Sequence, residues 1–229
     1  DEPRERNTNQ WNRNLQDSIH YAQLVREGIP GARTFIDPMR DIEDGQNYLP
    51  LLEYYDVIAT HPWDQSSGII KTARKQGKPT LWYFNGVVMD RYDFGFEVAA
   101  SPSTGFWQWH FQWDLLPFQR FHPCNRSGVT LPGPDGPIET PTFERLTAGI
   151  DDYRYVATLK ARIEAAKQSG KKSQALEAAQ AELKALLGST MPFASQKDYS
   201  EPIRPRRSIN GRSLDEWRAV LARHISALE

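Results

Sequence analysis

Cysteine is nearly absent. Cys124 stands alone in 229 residues, which excludes an internal disulfide and any metal site built from several thiolates. Charge of one sign is missing too: 28 Lys and Arg face 29 Asp and Glu, a formal net charge of -1 at pH 7. The sustained positive field of a dedicated nucleic-acid binder is therefore not there. Mean hydropathy is -0.65, and the longest uncharged hydrophobic stretch, around Pro79 to Met89, falls short of the roughly 18 apolar residues that a membrane helix needs. No membrane span is expected. The five histidines lack His-Glu-x-x-His spacing, and neither a Gly-x-Ser-x-Gly elbow nor a phosphate-binding glycine loop occurs, so neither metal nor cofactor is expected. Asp1-Glu2-Pro3-Arg4-Glu5-Arg6 carries neither an initiator methionine nor a charged-then-apolar signal pattern; the reading is a beginning set by processing or by a fragment boundary, which leaves secretion open.

What is present is ordinary globular material, 39% hydrophobic and 25% charged. Trp11, Leu15, Ile19, Leu24 and Val25 recur at roughly helical spacing, and Gly28 with Pro30 supplies a stop, which predicts an amphipathic helix over about 10–27. Strand 32–36, a short helix 46–54, strand 56–60, helix 66–76 closed by Gly77, and strand 79–84 follow. Helix with strand in repeated alternation over short connections argues for parallel βα units. A helix over 92–100 and a fourth strand over 105–111 continue the pattern. Four strands are half of an eight-stranded α/β barrel, which typically takes roughly 250 residues.

Pro117 to Pro141, with the turn cluster Pro132-Gly133-Pro134-Asp135-Gly136-Pro137, is expected to be an ordered loop without regular structure. Thr140 is the predicted N-cap of a helix in which Leu146, Ile150, Tyr153 and Val156 keep the period through Ile163. Gly170 interrupts it. The Ala-, Glu-, Lys- and Leu-rich segment 173–187 forms a second helix, antiparallel to the first. A polar link from Ser189 to Arg212 includes Arg204-Pro205-Arg206-Arg207, and Ser213 caps a last helix. The division expected is 1–165, half a barrel with its closing helix, and 166–229, a helical extension.

Five of seven tryptophans, Trp63, Trp82, Trp107, Trp109 and Trp113, fall at or near predicted strands and their C-terminal ends, where α/β barrels keep their sites. Aromatic faces stack on the C–H faces of sugar rings; equally, such rings fill a barrel or seat its outer helices. Asp37, His61, Tyr83 and Asn85 each sit at or just beyond a predicted strand end, where a barrel brings them to one mouth. His61 suits a sugar hydroxyl, or else a loop bond to backbone. Asp1-Glu2 sets two carboxylates side by side, able to divide proton donation and charge stabilisation between them, or to form a solvated turn.

The run Gly133-Pro134-Asp135-Gly136-Pro137, then Pro141-Thr142-Phe143-Glu144-Arg145-Leu146, then Gly149-Ile150-Asp151-Asp152-Tyr153-Arg154-Tyr155 resembles the end of the catalytic barrel of glycoside hydrolase family 123 and its uncharacterised relatives. Leu81-Trp82-Tyr83-Phe84 and Gly105-Phe106-Trp107-Gln108-Trp109 resemble that family's last two barrel strands. Together the likeness spans most of residues 1 to 165. The resemblance implies the C-terminal half of a (β/α)8 barrel, the N-terminal half lying outside this chain, and substrate-assisted hydrolysis of a 2-acetamido sugar, an exception to the scheme of two protein carboxylates. Asp1-Glu2-Pro3 stands where the family has its Asp-Glu pair. Glu2 is then the general acid and base, and Asp1 orients and polarises the acetamide. Tyr83 would hydrogen-bond the acetamide, and Trp107 and Trp109 would wall the pocket, with Asp37, His61, Trp63 and Asn85 as further sugar contacts. Asp151 and Asp152 are expected to anchor the closing helix rather than to act in catalysis. That substrate class suits an extracellular or periplasmic setting. Two other classes stay open: a barrel relative that binds glycans without cleaving them, and an interaction module built on residues 157–229.

Overall fold

The computed structural model describes residues 8–37, 48–60, 68–84, 90–101, 103–108, 130–131, 133–170, 173–190 and 206–229. The chain is a mixed α/β protein of two compact units, Asp1–Asn85 with Ser103–Trp109, and Gly86–Pro102 with His110–Glu229. Among the described residues no helix is long and apolar enough to cross a membrane.

The first unit carries the sheet. Helix α1 (Thr8–Gly28) buries Leu15 and Ala22 with Ile19 packed beside them, a spacing of four and three that lines one helical face. Leu24 and Val25, expected on that face, are instead exposed, because the stripe that meets the core runs through Ala22. Strand β1 (Phe35–Ile36) follows, then a five-residue 3₁₀ turn, Leu49–Glu53, where a longer helix was expected. Pro50 stands in its first turn, and Leu51 and Leu52 seal it against Tyr48 and Tyr55. Strand β2 (Val57–Thr60) leads to α2 (Gly68–Lys75), which buries Ile69, Ile70 and Ala73. At its end the Gly77 N–H bonds Arg74 O at 3.0 Å and the Lys78 N–H bonds Ala73 O at 2.9 Å, with Gly77 at φ 71°, a Schellman stop that only glycine adopts without strain. Strands β3 (Thr80–Phe84) and β4 (Gly105–Gln108) complete the sheet.

All four strands are parallel, in the order β1-β2-β3-β4, with Ile36 opposite Ile58, Thr60 opposite Trp82 and Phe84 opposite Gln108. A doubly wound sheet reverses its order at a switch point; this one does not.

The second unit is helical. Residues 91–100 form one helix, with a π turn at Asp93–Glu97 and a last turn, α3 (Val98–Ala100). Thr130–Leu131 (β5) and Ile138–Glu139 (β6) pair antiparallel, so the Pro- and Gly-rich segment is not without regular structure. Gly136, at φ 137°, lets residues 133–137 reverse tightly enough for their flanks to meet. Helix α4 (Pro141–Gln168) starts where Thr140 Oγ1 accepts the Phe143 N–H, and α5 (Gln174–Ser189) starts where Ser173 accepts from Leu176. The expected division at 165/166 falls inside α4, whose Val156, Leu159 and Ile163 share one core with Phe96, Leu176, Leu186, Trp217 and Leu221.

A second hairpin, β7 (Ser208–Ile209) and β8 (Arg212–Ser213), occupies what was expected to be a plain link. Asn210 and Gly211 have φ 50° and 77°, the pair of positive values that a two-residue type I′ turn requires. Helix α6 (Leu214–Ala227) then opens on a full capping box between Ser213 and Glu216. Trp217 donates its ring N–H to Ile209 O at 2.8 Å and lies under the Arg212 guanidinium, pinning hairpin to helix.

Candidate functional site

The parallel register brings the C-terminal ends of the four strands, Ile36, Thr60, Phe84 and Gln108, to one end of the sheet. Asp37 follows β1 directly and is buried. Tyr83 and Trp107 are register partners on adjacent strands. His61 is next in sequence after β2, Asn85 after β3 and Trp109 after β4. These three, with Asp1, Glu2 and Trp63, lie outside the described residues, as do the side chains of Tyr83 and Trp107.

The opposite end of the sheet is latched. Asp56 Oδ2 accepts the Thr34 N–H at 2.7 Å and lies 3.0 Å from the Thr34 hydroxyl, and Asp56 Oδ1 lies 3.2 Å from the Arg26 guanidinium. The Thr34 N–H bond, with help from the hydroxyl and from the nearby Arg26 and Lys78 charges, holds the Asp56 carboxyl below its ordinary range. Lys78 Nζ reaches Tyr55 O at 2.8 Å, and the Thr104 hydroxyl reaches Thr80 O at 3.0 Å. In α/β barrels that N-terminal end serves stability, and the other end serves chemistry.

The second unit holds an ionic node that the Gly149-to-Tyr155 motif explains. Asp152, fully buried, accepts from Arg91 Nε at 2.6 Å and from Arg218 Nε at 2.6 Å, and Arg218 also donates to Ala148 O at 2.8 Å. Arg91 bridges onward to Asp215 at 2.6 Å. One turn earlier, Gly149 lets α4 touch the π turn backbone to backbone: a Cβ there would sit 2.7 Å from Arg91 O. Asp152 therefore anchors its helix, as expected, whereas among the described residues Asp151 makes a surface pair with Arg154.

Beside the node lies a pair of acids that sequence reading missed. Asp93 and Glu97, four residues apart in the π turn, are both buried and hydrogen-bonded to each other. Glu97 Oε1 has no hydrogen-bond partner among the described residues. Burial pushes the Asp93 carboxyl up to about 7, aided by the neighbouring Asp90 charge and opposed by the Glu97 bond and by Arg206. Burial and the adjacent Asp93 push Glu97 up to about 9. π turns recur at functional sites. The available signal was two acids at a spacing of four inside the otherwise apolar run Tyr92 to Ala100.

Around the same helix start, Asp90, Arg91, Arg145, Arg206, Arg207 and Asp215 border a cavity of about 280 Å³. Among the described residues no group of three or more His, Cys, Asp or Glu is arranged to hold a metal ion.

Comparison of the chain with known protein families, with curated proteins and with solved structures finds no match.

Proposed function

We propose that this chain is the C-terminal half of a glycoside hydrolase-like α/β barrel that cleaves a terminal 2-acetamido sugar by substrate-assisted catalysis. The observation that carries the reading is the sheet itself: four consecutive parallel strands in chain order, followed in sequence by Asp37, His61, Asn85 and Trp109. Successive βα units of a barrel have this order, and barrel enzymes work at the C-terminal ends of their strands. A further support is that, of the large apolar side chains exposed among the described residues, Tyr21, Leu24, Val25, Ile29 and Phe35 fall in α1, β1 and the turn between them, with Ile138 lying elsewhere. Such a concentration of apolar surface at one edge strand suits burial by a further part of the protein.

In this reading Glu2 protonates the leaving oxygen and later activates water, while Asp1 orients the acetamide and stabilises the charge that develops as its carbonyl oxygen attacks the anomeric carbon. In the protein that includes the sequence upstream of Asp1, Glu2→Gln should slow hydrolysis of substrates with poor leaving groups by roughly 10²- to 10⁴-fold. Cleavage of activated aryl glycosides in the glycosylation step should suffer less. Asp1→Asn should slow both classes, because it removes charge stabilisation rather than a proton. A thiazoline mimic of the cyclic intermediate should inhibit. If both variants keep turnover within about twofold, the hydrolase reading fails. Sugar binding without any turnover in the unmutated protein would identify a non-catalytic relative instead.

A further inference from the structure

We propose that the groove between α4 and α5 seats an amphipathic helix of a partner protein, one whose apolar stripe is flanked by acidic side chains. This inference goes beyond the carbohydrate reading and does not rest on it. It starts from spacing. On α4 the groove is lined by Lys160, Ile163, Glu164 and Lys167, and on α5 by Gln180, Leu183, Lys184 and Leu187. Each set falls at i, i+3, i+4 and i+7, a single stripe that runs for about two helical turns. Together the two stripes bound a groove of about 770 Å³ with Ile163, Leu183 and Leu187 as its apolar members. Ile163 is buried in the core of this unit, whereas the two leucines pack against that core and are only half-buried.

Charge decides what the rims accept. Three lysines and one carboxylate border the groove. Glu164 is already taken, since Lys167 Nζ lies 2.6 Å from its Oε1 on the same helix. Lys160 is half-buried and donates to Ala99 O at 2.7 Å, a bond that fixes the ammonium without neutralising it. Burial pulls its pKa below the ordinary lysine value, the mark of a cation held partly out of water. Lys184 is exposed on the facing helix. Among the described residues no carboxylate pairs with Lys160 or with Lys184. Acidic side chains on a partner would supply what both lack, and a basic partner would be repelled.

Shape separates a helix from a lipid tail. Small-molecule sites enclose most of their ligand. This groove is open along its length, because Glu164, Lys167, Lys184 and Gly188 on its borders are exposed. An acyl chain laid in it would keep one side in water, whereas an amphipathic helix sets its apolar stripe on the leucines and its polar face outward. Gly188, in the last turn of α5, keeps one end of the groove clear: among the described residues a Cβ there would meet no atom within 4 Å.

The test is fluorescence anisotropy of the whole chain with a labelled synthetic peptide of about fifteen residues, long enough to form a helix, with leucines at i, i+3, i+4 and i+7 and glutamates on both flanks. Saturable one-to-one binding with a Kd below about 1 mM is expected, and added salt should weaken it. The same residues in scrambled order, and the same stripe flanked by lysines, should each bind at least about tenfold more weakly. Lys184→Glu, at an exposed position, should weaken the acidic peptide about tenfold and strengthen the basic one. Gly188→Glu, which projects into open space and brings a carboxylate to the end of the groove, should weaken the acidic peptide in the same sense. Lys75→Glu, an exposed change on α2, should leave both peptides unaffected. The proposal is overturned if the acidic peptide does not saturate, if the scrambled peptide binds as well, or if Lys184→Glu and Gly188→Glu, both folded by circular dichroism, bind as the unmutated chain does. It is equally overturned if sodium decanoate binds one-to-one and displaces the acidic peptide, which assigns the groove to an acyl chain. Sedimentation that shows the chain pairing with itself, with Lys184→Glu breaking the pair, would assign the groove to a second copy and overturn it as well.

Discussion

The two units are specified by different kinds of information. In the helical unit each long helix begins on a cap three residues from the amide it holds: Thr140 with Phe143, Ser173 with Leu176, Ser213 with Glu216. In the sheet unit the strands are two to five residues long, and what fixes them is distant in sequence. Thr34 meets Asp56 across 22 residues, Lys78 meets Tyr55 across 23, and Arg26 meets Asp56 across 30. The helical unit has long-range ties as well: Asp152 has partners 61 and 66 residues away, Lys160 meets Ala99 O across 61, Arg206 meets Tyr92 across 114, and Arg212 meets Glu182 across 30. Local caps start its helices, and among these ties the one at Asp152 is centred on a fully buried carboxylate. The sheet unit instead spreads its long-range polar contacts over several partly exposed groups.

The largest effect should therefore come from the node. Asp152→Asn leaves two partly buried guanidinium groups facing a neutral, fully buried partner, and denaturant unfolding should show a loss of about 3 kcal/mol. Asp56→Asn touches a side chain that is 32% exposed. It gives up a charge-assisted bond that water can partly replace, and should cost about 1–2 kcal/mol. If the two substitutions cost the same, the contrast between a tie on a fully buried carboxylate and ties on partly exposed groups is wrong.

The next effect sharpens the comparison through pH. Asp93 and Glu97 titrate near 3.8 and 4.5 when unburied, and at about 7 and about 9 in the folded protein. Folding thus favours their protonated forms. Their contribution is fully present below pH 3.8 and is lost as pH rises through about 7 and then about 9. Asp56 in the sheet unit has the opposite sign, since its carboxyl is held below its ordinary range and its contribution is lost as pH falls. Unfolding followed separately in the two units should show the helical one weakening from pH 5 to pH 9. Glu97→Gln, which keeps the shape and a proton to donate, should flatten that slope and add about 1–3 kcal/mol at pH 8. An unchanged slope in the variant would mean that Glu97 is already ionised in the folded protein.

The same contrast decides what could be read from sequence. All four parallel strands and every long helix were legible, because alternation, spacing and cap residues are local signals. The Ser213 and Thr140 caps were visible as single residues. Both hairpins were missed: Pro132 to Pro137 and the link before Arg212 were read by composition, while Gly136 and the Asn210-Gly211 pair act through positive φ. The stripe on α1 was misplaced because Leu24 and Val25 keep helical spacing but do not meet the core. At the candidate sugar site, residue types were readable at the strand ends, whereas mutual distances depend on tertiary placement. The acid pair and the arginine cavity stayed hidden for the same reason. Arg91, Arg145 and Arg206 come from three segments more than fifty residues apart in sequence, and only folding collects them.

The smallest effect tests whether local information in the helical unit is separable from its node. Ser213 Oγ accepts the Glu216 N–H at 3.2 Å, and Ser213 N–H donates to Glu216 Oε2 at 2.6 Å. The Ser213 N–H bond, with help from the Ser213 hydroxyl, holds the Glu216 carboxyl below its ordinary range. Ser213→Ala removes the first bond and keeps the second, so stability should fall by about 1 kcal/mol, and the Glu216 amide should exchange with solvent faster. The adjoining Asp215 complicates the position, because it accepts Arg91 Nη1 at 2.6 Å and so links the first turn of α6 to Asp152. Its side chain is 80% exposed, however, and an exposed pair transmits little. Cap and node should then act independently, with Ser213→Ala costing the same in the Asp152→Asn background to within about 0.5 kcal/mol. A cap effect that vanishes in that background would show that α6 is held by Arg91 rather than by its own first turn, and the helical unit would then depend on distant contacts as fully as the sheet does.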